Sequence, residues 1–328
     1  MLSERELIKQ IRERAAAGGP GLLRAIGDDC AVLAPPAGRH LLVTTDALVE
    51  GVHFDRSWHP PALLGRKAAA VNLSDIAAMG GEPLYALLSV AAPPGTGPEW
   101  LERFTAGFLA ILAEHATVLI GGDTVRGEQL MFSVTLIGSA EPDRVLYRSG
   151  GRAGDLLWVS GPLGEAAAGL ELCRRGGEAM ARWPGLVQAH LDPRPRVALG
   201  HFLAGTGSVT AMMDLSDGMA TDLAHLAAES GQGAEVEEAA LPLSPALQEA
   251  AAHLGRPAAE LALTGGEDYE LLFATAPTVR ETLPAQVEAA TGAAIRCVGR
   301  LVPGSGVWLL GGTTRREIGY RGYDHFAK

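Results

Sequence analysis

Lysine is nearly missing from this chain of 328 residues: only Lys9, Lys67 and Lys328 occur. None completes a G-x-x-x-x-G-K-[ST] loop, so a Walker-type phosphate cradle is excluded, and any nucleotide phosphate must be met by arginine or by bound metal. Cysteine is equally scarce. Cys30, Cys173 and Cys297 are odd in number and lack metal-ligand spacing, which argues against both a disulfide framework and a zinc site. Positive charge is short as well: the net charge is -11, the opposite of what a nucleic-acid partner requires. No apolar run reaches the roughly 18 residues that span a membrane. The first residues, MLSERELIKQIRER, lack the apolar centre of a signal peptide. A cytoplasmic protein with no membrane partner is therefore expected.

What is present is glycine and buried carbon. With 42 glycines and 47% hydrophobic residues, the chain reads as a turn-rich globular enzyme, long enough for two domains with separate cores. The stretch Ala68 to Glu82, AAAVNLSDIAAMGGE, carries small apolar residues at helical spacing and stops at Gly80-Gly81, the signature of a buried helix with a glycine cap. Asp75 is out of place there, about one turn from the C-terminus, where burial and the helix dipole both oppose an anion. Two readings stand: Asp75 meets a bound metal, or it belongs to a polar face or an ion pair. Asn72, three residues earlier, shares its face.

Ser3 to Ala17 reads as an amphipathic helix and Ala25 to Leu33 as a strand-like segment holding Asp28 and Asp29. Strands are expected over His40 to Gly51, Leu84 to Ala92, Thr117 to Thr124 and Leu130 to Ala140, with a helix over Pro98 to His115. Two of these strands deliver acids at their ends, Asp46 after Thr44 and Thr45, and Asp123 after Gly121-Gly122. Apolar periodicity lapses over Glu141 to Asp155, which places a domain boundary there, with domains 1–141 and 142–328. The second half restarts with a strand over Leu156 to Ser160, a glycine turn over Gly161 to Gly164 and a helix to Arg175. Proline-interrupted helices follow over Leu186 to Ala204. VTAMMDLSDG, from Val209, repeats the strand-to-acid pattern with Asp214 and Asp217, ahead of a helix over Met219 to Glu229. LTGGEDYELLFAT sets Glu267, Asp268 and Glu270 before or within a strand, and late strands are expected over Ile295 to Val302 and Val307 to Leu310. NLSD at Asn72 and DLSD at Asp214 form a faint internal echo.

Any one of these acids reads as a solvated loop residue. Together they recur beside Gly, Ser or Thr after core elements, outside any charge run. Oxygen ligands without His or Cys select hard cations, Mg²⁺ above all. Several such ions would suit phosphoryl transfer, and the spacing leaves kinase, synthetase and phosphatase open.

GDDCAVL at Gly27, TTD at Thr44, VNLSDIAAMGGEP at Val71, GGDT at Gly121, DLSDG at Asp214, GGEDYEL at Gly265 and GYDHF at Gly322 together resemble the thiamine-monophosphate kinase family of the aminoimidazole ribonucleotide synthetase-like superfamily. The resemblance covers nearly the whole chain in order. It implies a two-domain α/β (α+β) fold, with an N-terminal ATP- and Mg-binding domain that forms a shared β-barrel in a homodimer, and a C-terminal α+β domain. It also implies ATP-dependent phosphorylation of thiamine monophosphate to thiamine diphosphate, in line, with several Mg²⁺ ions. Matched by position, Asp29, Thr44, Thr45, Asp46, Asp75, Asp123, Asp214 and Asp217 would hold metal. Gly122, Asp123, Arg148 and Ser216 would contact ATP, and His53, Glu267 and Tyr320 the substrate. Tyr320 stands where some members carry tryptophan, which keeps an aromatic face for a cationic ring. Selenophosphate synthetase, a sister family, would need a reactive Cys or Sec and a Lys near the start, and no cysteine precedes Cys30. A non-catalytic nucleotide-binding module would be expected to have lost acids that are all present.

Overall fold

The computed structural model describes residues 13–14, 18–25 and 30–322. The helix expected over Ser3 to Ala17 falls almost wholly outside them, as do Asp28, Asp29 and the GYDHF stretch after Gly322. Two compact units emerge, the first running to Ile76 and from Gly81 to Asp143, the second comprising Ala77–Gly80 and the chain from Arg144.

In the first unit, β1 (Leu22–Arg24) and β2 (Val32–Leu33) form a small antiparallel ribbon. The main sheet is built from β3 (His40–Val49), β4 (Glu82–Ala92), β5 (Val118–Arg126) and β6 (Met131–Ala140), in the order β3-β6-β4-β5. Helix α1 (Pro61–Ala78) links β3 to β4, and α2 (Pro98–Glu114) links β4 to β5, which pair parallel as a helical crossover allows. Helix α1 begins well before the small apolar run, at Pro61, whose missing N–H costs nothing in a first turn. It ends before Gly80, whose φ of +71° is the expected left-handed cap. Leu64, Ala68, Ala69, Ala70, Leu73 and Ile76 are all buried; a helix apolar all round belongs inside. Its backbone touches that of α2, because a Cβ on Gly65 would lie 2.0 Å from the Phe104 carbonyl and one on Gly107 would lie 1.9 Å from that of Ala62. Phe104 of α2 then stacks on Phe132 of β6 at 3.8 Å. The other face of the sheet leaves Leu41, Val43, Val125 and Met131 exposed.

The second unit carries, in order, β7 (Leu156–Val159), α3 (Glu165–Arg175), α4 (Gly177–Arg182), α5 (Pro184–Leu191), α6 (Val197–Thr206), β8 (Val209–Asp214), α7 (Met219–Glu229) and β9 (Gly233–Glu237). Then come α8 (Pro245–Leu254), α9 (Ala258–Thr264), β10 (Leu271–Thr275), α10 (Leu283–Thr291), β11 (Arg296–Val302), β12 (Val307–Gly311) and β13 (Thr314–Glu317). The seven strands order as β13-β12-β9-β11-β7-β10-β8. Strand alternation divides the core into two layers. Leu157, Val159, Leu272 and Ala274 pack with Leu223 and Leu226 of α7. Trp158, Leu271 and Phe273 pack with Leu199 and Leu203 of α6 and with Leu283 and Val287 of α10. This is the expected mixed α/β class in two units. The sequence reading omitted β9, β13 and helices α4, α8, α9 and α10.

Candidate active site

In the first unit, β3 runs on to Val49 and β5 to Arg126. Asp46 and Asp123 therefore lie within their strands and not at the ends the sequence pattern implied, since both strands stay paired with neighbours beyond them. Alternation then decides which side chains can meet. Thr44 leaves β3 on the helix side, and its hydroxyl donates to Oδ2 of Asp75 on α1. Asp46 leaves on the same side. Burial, and next the Asp75 charge, push its carboxyl up to about 6. Asn72 is fully buried one turn before Asp75; its Nδ2 donates to the Ala68 carbonyl at 3.3 Å, while its Oδ1 has no hydrogen-bond partner.

Other candidates of this unit stand apart from that pair. Thr45 points to the opposite face, donating to the Val134 carbonyl at 3.0 Å and accepting from Thr135 at 3.1 Å. Asp123 is in register with Ser89, which pairs with Ser133, in turn opposite Ala47, so it also leaves on the Thr45 face. Its Oδ1 accepts the Thr124 N–H at 2.9 Å. Gly122 shares a row with Asp46, and a Cβ there would lie 1.9 Å from the Leu88 carbonyl, so strand pairing alone demands glycine. His53 follows β3, and its Nδ1 accepts the Val49 N–H at 3.1 Å, which sets the hydrogen of the neutral ring on Nε2. Asp29 lies outside the described residues.

In the second unit, β8 ends at Asp214 and the chain turns through Leu215 to Gly218 into α7. One oxygen of Asp222, Oδ2, accepts the N–H groups of both Asp217 and Gly218 at 3.1 Å. Burial chiefly, then Asp214 and Asp217, raise the Asp222 carboxyl to about 8. The 265–270 loop lies along this turn: Glu267 N–H donates to the Ser216 carbonyl and Tyr269 N–H to that of Leu215, each at 2.8 Å. A Cβ on Gly266 would lie 2.5 Å from the Ser216 carbonyl, so the second glycine of GGED makes the approach possible. Glu267 and Tyr269 hold φ of +71° and +49°, a left-handed backbone that non-glycine residues adopt only where the surroundings enforce it.

Contacts of three acidic side chains, Asp268, Glu270 and Glu267, hold the loop in place. The Asp268 carboxylate accepts from Gly164 N–H at 2.7 Å and Ala166 N–H at 3.4 Å, at the start of α3. Arg196 grips Glu270 with two nitrogens, Nε at 2.7 Å, and Ser160 donates to the same carboxylate. His190 of α5 lies 3.0 Å from Glu267. The C-terminal segment reaches the same place, where Gly322 N–H donates to Thr221 at 2.7 Å. Tyr320, 62% exposed, meets His225 edge to face at 5.3 Å. Ser216, Asp217, Glu267 and the Tyr320 segment thus share one neighbourhood. Arg148 is exposed, and its carbonyl accepts from Ser230 at 3.1 Å.

Sequence reading passed over Asp222, His190 and Arg196. Asp222 lies four residues past Gly218, at helical spacing for reaching back to the turn, and was a legible signal. His190 and Arg196 bracket HLDPRPR, where two prolines interrupt the helical pattern between the charged ends.

As a cation site, each acid group offers oxygen alone, with one carboxyl raised in part by a like-charged neighbour. Among the described residues no three His, Cys, Asp or Glu side chains stand close enough together to hold a metal ion. Oxygen donors of this kind are those Mg²⁺ takes, one or two carboxylates with water and substrate phosphate completing its shell. The orphaned Asn72 Oδ1 is a further oxygen beside Asp75.

Residues 27–140 match the AIR synthase related protein N-terminal domain, and residues 152–309 the C-terminal domain. The chain is 38% identical to the thiamine-monophosphate kinase of Salmonella typhimurium, over 99% of this chain and 98% of that one. The crystal structure of thiamine-monophosphate kinase from Stenotrophomonas maltophilia K279a superposes with a TM-score of 0.84 at 39% identity, covering 94% of this chain and 96% of that one. AaThiL complexed with AMPPCP and TMP superposes at 0.79 with 33% identity, covering 99% and 97%. Among the described residues no helix is long and apolar enough to cross a membrane. With both domains matched and the identity extending over almost its full length, the chain belongs to the thiamine-monophosphate kinase family of AIR synthase related proteins.

Proposed function

We propose that this protein is a kinase that transfers the γ-phosphoryl group of ATP to thiamine monophosphate, giving thiamine diphosphate and ADP. The observation that carries the reading is near full-length identity of 38% to a thiamine-monophosphate kinase. A relative complexed with AMPPCP and TMP supports the pair of ligands.

In the transfer, a terminal phosphate oxygen of thiamine monophosphate attacks the γ-phosphorus while the bond to the ADP oxygen breaks, in line. The attacking oxygen is already ionised at neutral pH, so no general base is required, and the chain's task is positioning and charge neutralisation. Thr44, Thr45, Asp46, Asp75 and Asp123, with Asp29, are the proposed metal residues of the N-terminal domain, and Asp214 and Asp217 those of the C-terminal domain. Mg²⁺ held there would neutralise phosphate charge, in a chain whose lysines are Lys9, Lys67 and Lys328 alone, with Lys67 buried. The side chain of Thr45 is turned away from Asp46 and bonded to the Val134 carbonyl. Gly122, Asp123, Arg148 and Ser216 are assigned to ATP, and His53, Glu267 and Tyr320 to thiamine monophosphate. The Nε2–H of His53 suits a phosphate oxygen. The carboxylate of Glu267 suits the amino-bearing cationic ring system, and the exposed ring of Tyr320 offers a stacking face.

The domains are assigned as 1–141, for ATP, Mg²⁺ and dimerisation, and 142–328. A cytoplasmic homodimer is part of the same reading. Leu41, Val43, Val125 and Met131 lie bare on the sheet face opposite the helices, where a second copy completing a barrel would cover them.

Incubation of the purified protein with ATP, Mg²⁺ and thiamine monophosphate, followed by chromatography, is expected to yield thiamine diphosphate and ADP in equal amounts. ADP without thiamine diphosphate would refute the acceptor.

A further inference from the structure

The turn from Asp214 to Gly218 carries Asp214, Ser216 and Asp217, and its backbone is held from two sides. On one side stands the 265–270 loop. Leu215 N–H donates to the Glu270 carbonyl, and the carbonyls of Leu215 and Ser216 accept from Tyr269 and Glu267, each at 2.8 Å. On the other side stands Asp222, in the first turn of α7. Its Oδ2 accepts the N–H groups of the next two residues, Asp217 and Gly218, both at 3.1 Å. That part of the turn needs holding. Gly218 sits at φ +105° and ψ 145°, close to a conformation that essentially only glycine adopts and that persists where the surroundings impose it.

Asp222 is placed to impose it. The residue is 1% exposed, and its helix is locked in the core by Met219, Ala220, Leu223 and Leu226. The charged groups beside it are the acids Asp214 and Asp217, so the bonds that hold its carboxylate run to backbone N–H groups and not to a cation. Groups that brace the ligands of a metal from outside set their spacing, and losing one typically costs ten- to a hundredfold in metal affinity. Resting on the assignment of Asp214 and Asp217 to Mg²⁺ and of Ser216 to ATP, we propose that Asp222 is a positioning residue: by taking the N–H groups of Asp217 and Gly218 it fixes the turn, so that those three residues are set before metal and nucleotide arrive. It acts through the turn alone and has no part in recognising the phosphate acceptor.

The test compares Asp222→Leu, similar in size and without an oxygen, with Asp222→Asn, whose side-chain oxygen can accept the same two N–H groups. The first readout is the rise in melting temperature on titrating Mg²⁺ with the non-hydrolysable analogue AMPPCP, which needs no turnover. The second is steady-state kinetics, giving the Mg²⁺ concentration for half-maximal rate and the KM for thiamine monophosphate. Asp222→Leu is expected to need roughly ten- to a hundredfold more Mg²⁺ in both readouts, while the KM for thiamine monophosphate stays put. Asp222→Asn should restore most of the loss. An unchanged Mg²⁺ requirement in Asp222→Leu, a KM for thiamine monophosphate that rises in step with it, or an Asp222→Asn as impaired as Asp222→Leu would overturn the inference. Should Asp222→Leu not fold, Asp222→Glu takes its place, keeping the charge but moving the oxygen by one methylene, with a smaller rise in the same requirement expected and the same outcomes overturning it. A wild-type protein that gains no melting temperature from Mg²⁺ and AMPPCP overturns the metal and ATP assignment of the turn and this inference with it. A wild type that gains it but makes no thiamine diphosphate overturns the acceptor reading and leaves the melting-temperature comparison to decide this one.

Discussion

The hydroxyl of Thr44 donates to the carboxylate of Asp75, tying the middle of β3 to the last turns of α1. Asp46 projects on the same side and feels the Asp75 charge. Two carboxylates and a hydroxyl are thus brought together, Thr44 and Asp75 from positions 31 residues apart. Asp75→Asn keeps the size and the hydrogen bond while removing one charge. It is expected to cut kcat by roughly a hundredfold or more and to leave the melting temperature unchanged or slightly raised, since Asp46 loses a like-charged neighbour. Near wild-type turnover at limiting Mg²⁺ would contradict the proposed metal role.

Stability without metal should depend on pH in a defined direction. The folded-state pKa values of Asp46 and Asp222 are raised to about 6 and about 8 from the ordinary 3.8. The folded chain therefore keeps protons that the unfolded chain releases. The associated stability is full below about pH 4 and is lost as pH rises, through about 6 for Asp46 and about 8 for Asp222. Metal-free protein should lose melting temperature between pH 6 and 9, and Asp222→Asn should flatten that decline. Added Mg²⁺ should raise the melting temperature more at pH 8.5 than at pH 5.5, because the ligands bind ionised. A decline of equal slope in wild type and Asp222→Asn would rule out Asp222 as its source.

How much of this was legible in the sequence follows from the kind of signal involved. Helix α1 announced itself because small apolar residues and a glycine stop are local properties, and Asp75 stood out against them. The acids of β3 and β5 were found, but their place was misread: where a strand ends is decided by its partners, and β6 and β4 extend past Asp46 and Asp123. The same partners turn Thr45 and Asp123 to the face opposite Asp46. Helix α8 carried local signs, with Ser244 capping at 3.1 Å and Gly255 closing the end. By contrast β13 is four exposed residues, TRRE, with no apolar pattern to read. The grip of Arg196 on Glu270, across 74 positions, has no local trace.

Gly122 separates a structural demand from a ligand contact. A Cβ at this position would meet the Leu88 carbonyl at 1.9 Å, so Gly122→Ala is expected to destabilise the β4–β5 pair by about 1 to 3 kcal/mol, read as a lowered urea midpoint even without nucleotide. An unchanged midpoint with weakened ATP binding would show that the glycine serves the ligand alone.

Arg196 and Glu270 form a charge pair whose side chains are 28% and 6% exposed. Removing one partner leaves the other largely buried and unmatched, and Arg196→Met should cost about 3 kcal/mol. Combined with Glu270→Gln, the loss should be less than the sum of the two single losses, since the pair fails as a unit. Strict additivity in denaturant unfolding would show that the two residues act independently.

The central claim is the identity of the phosphoryl acceptor. Wild-type protein supplied with ATP labelled in the γ-phosphate, Mg²⁺ and unlabelled thiamine monophosphate should place the label in the terminal phosphate of thiamine diphosphate. Label recovered only as inorganic phosphate, or transferred equally well to an unrelated phosphate monoester, would contradict it.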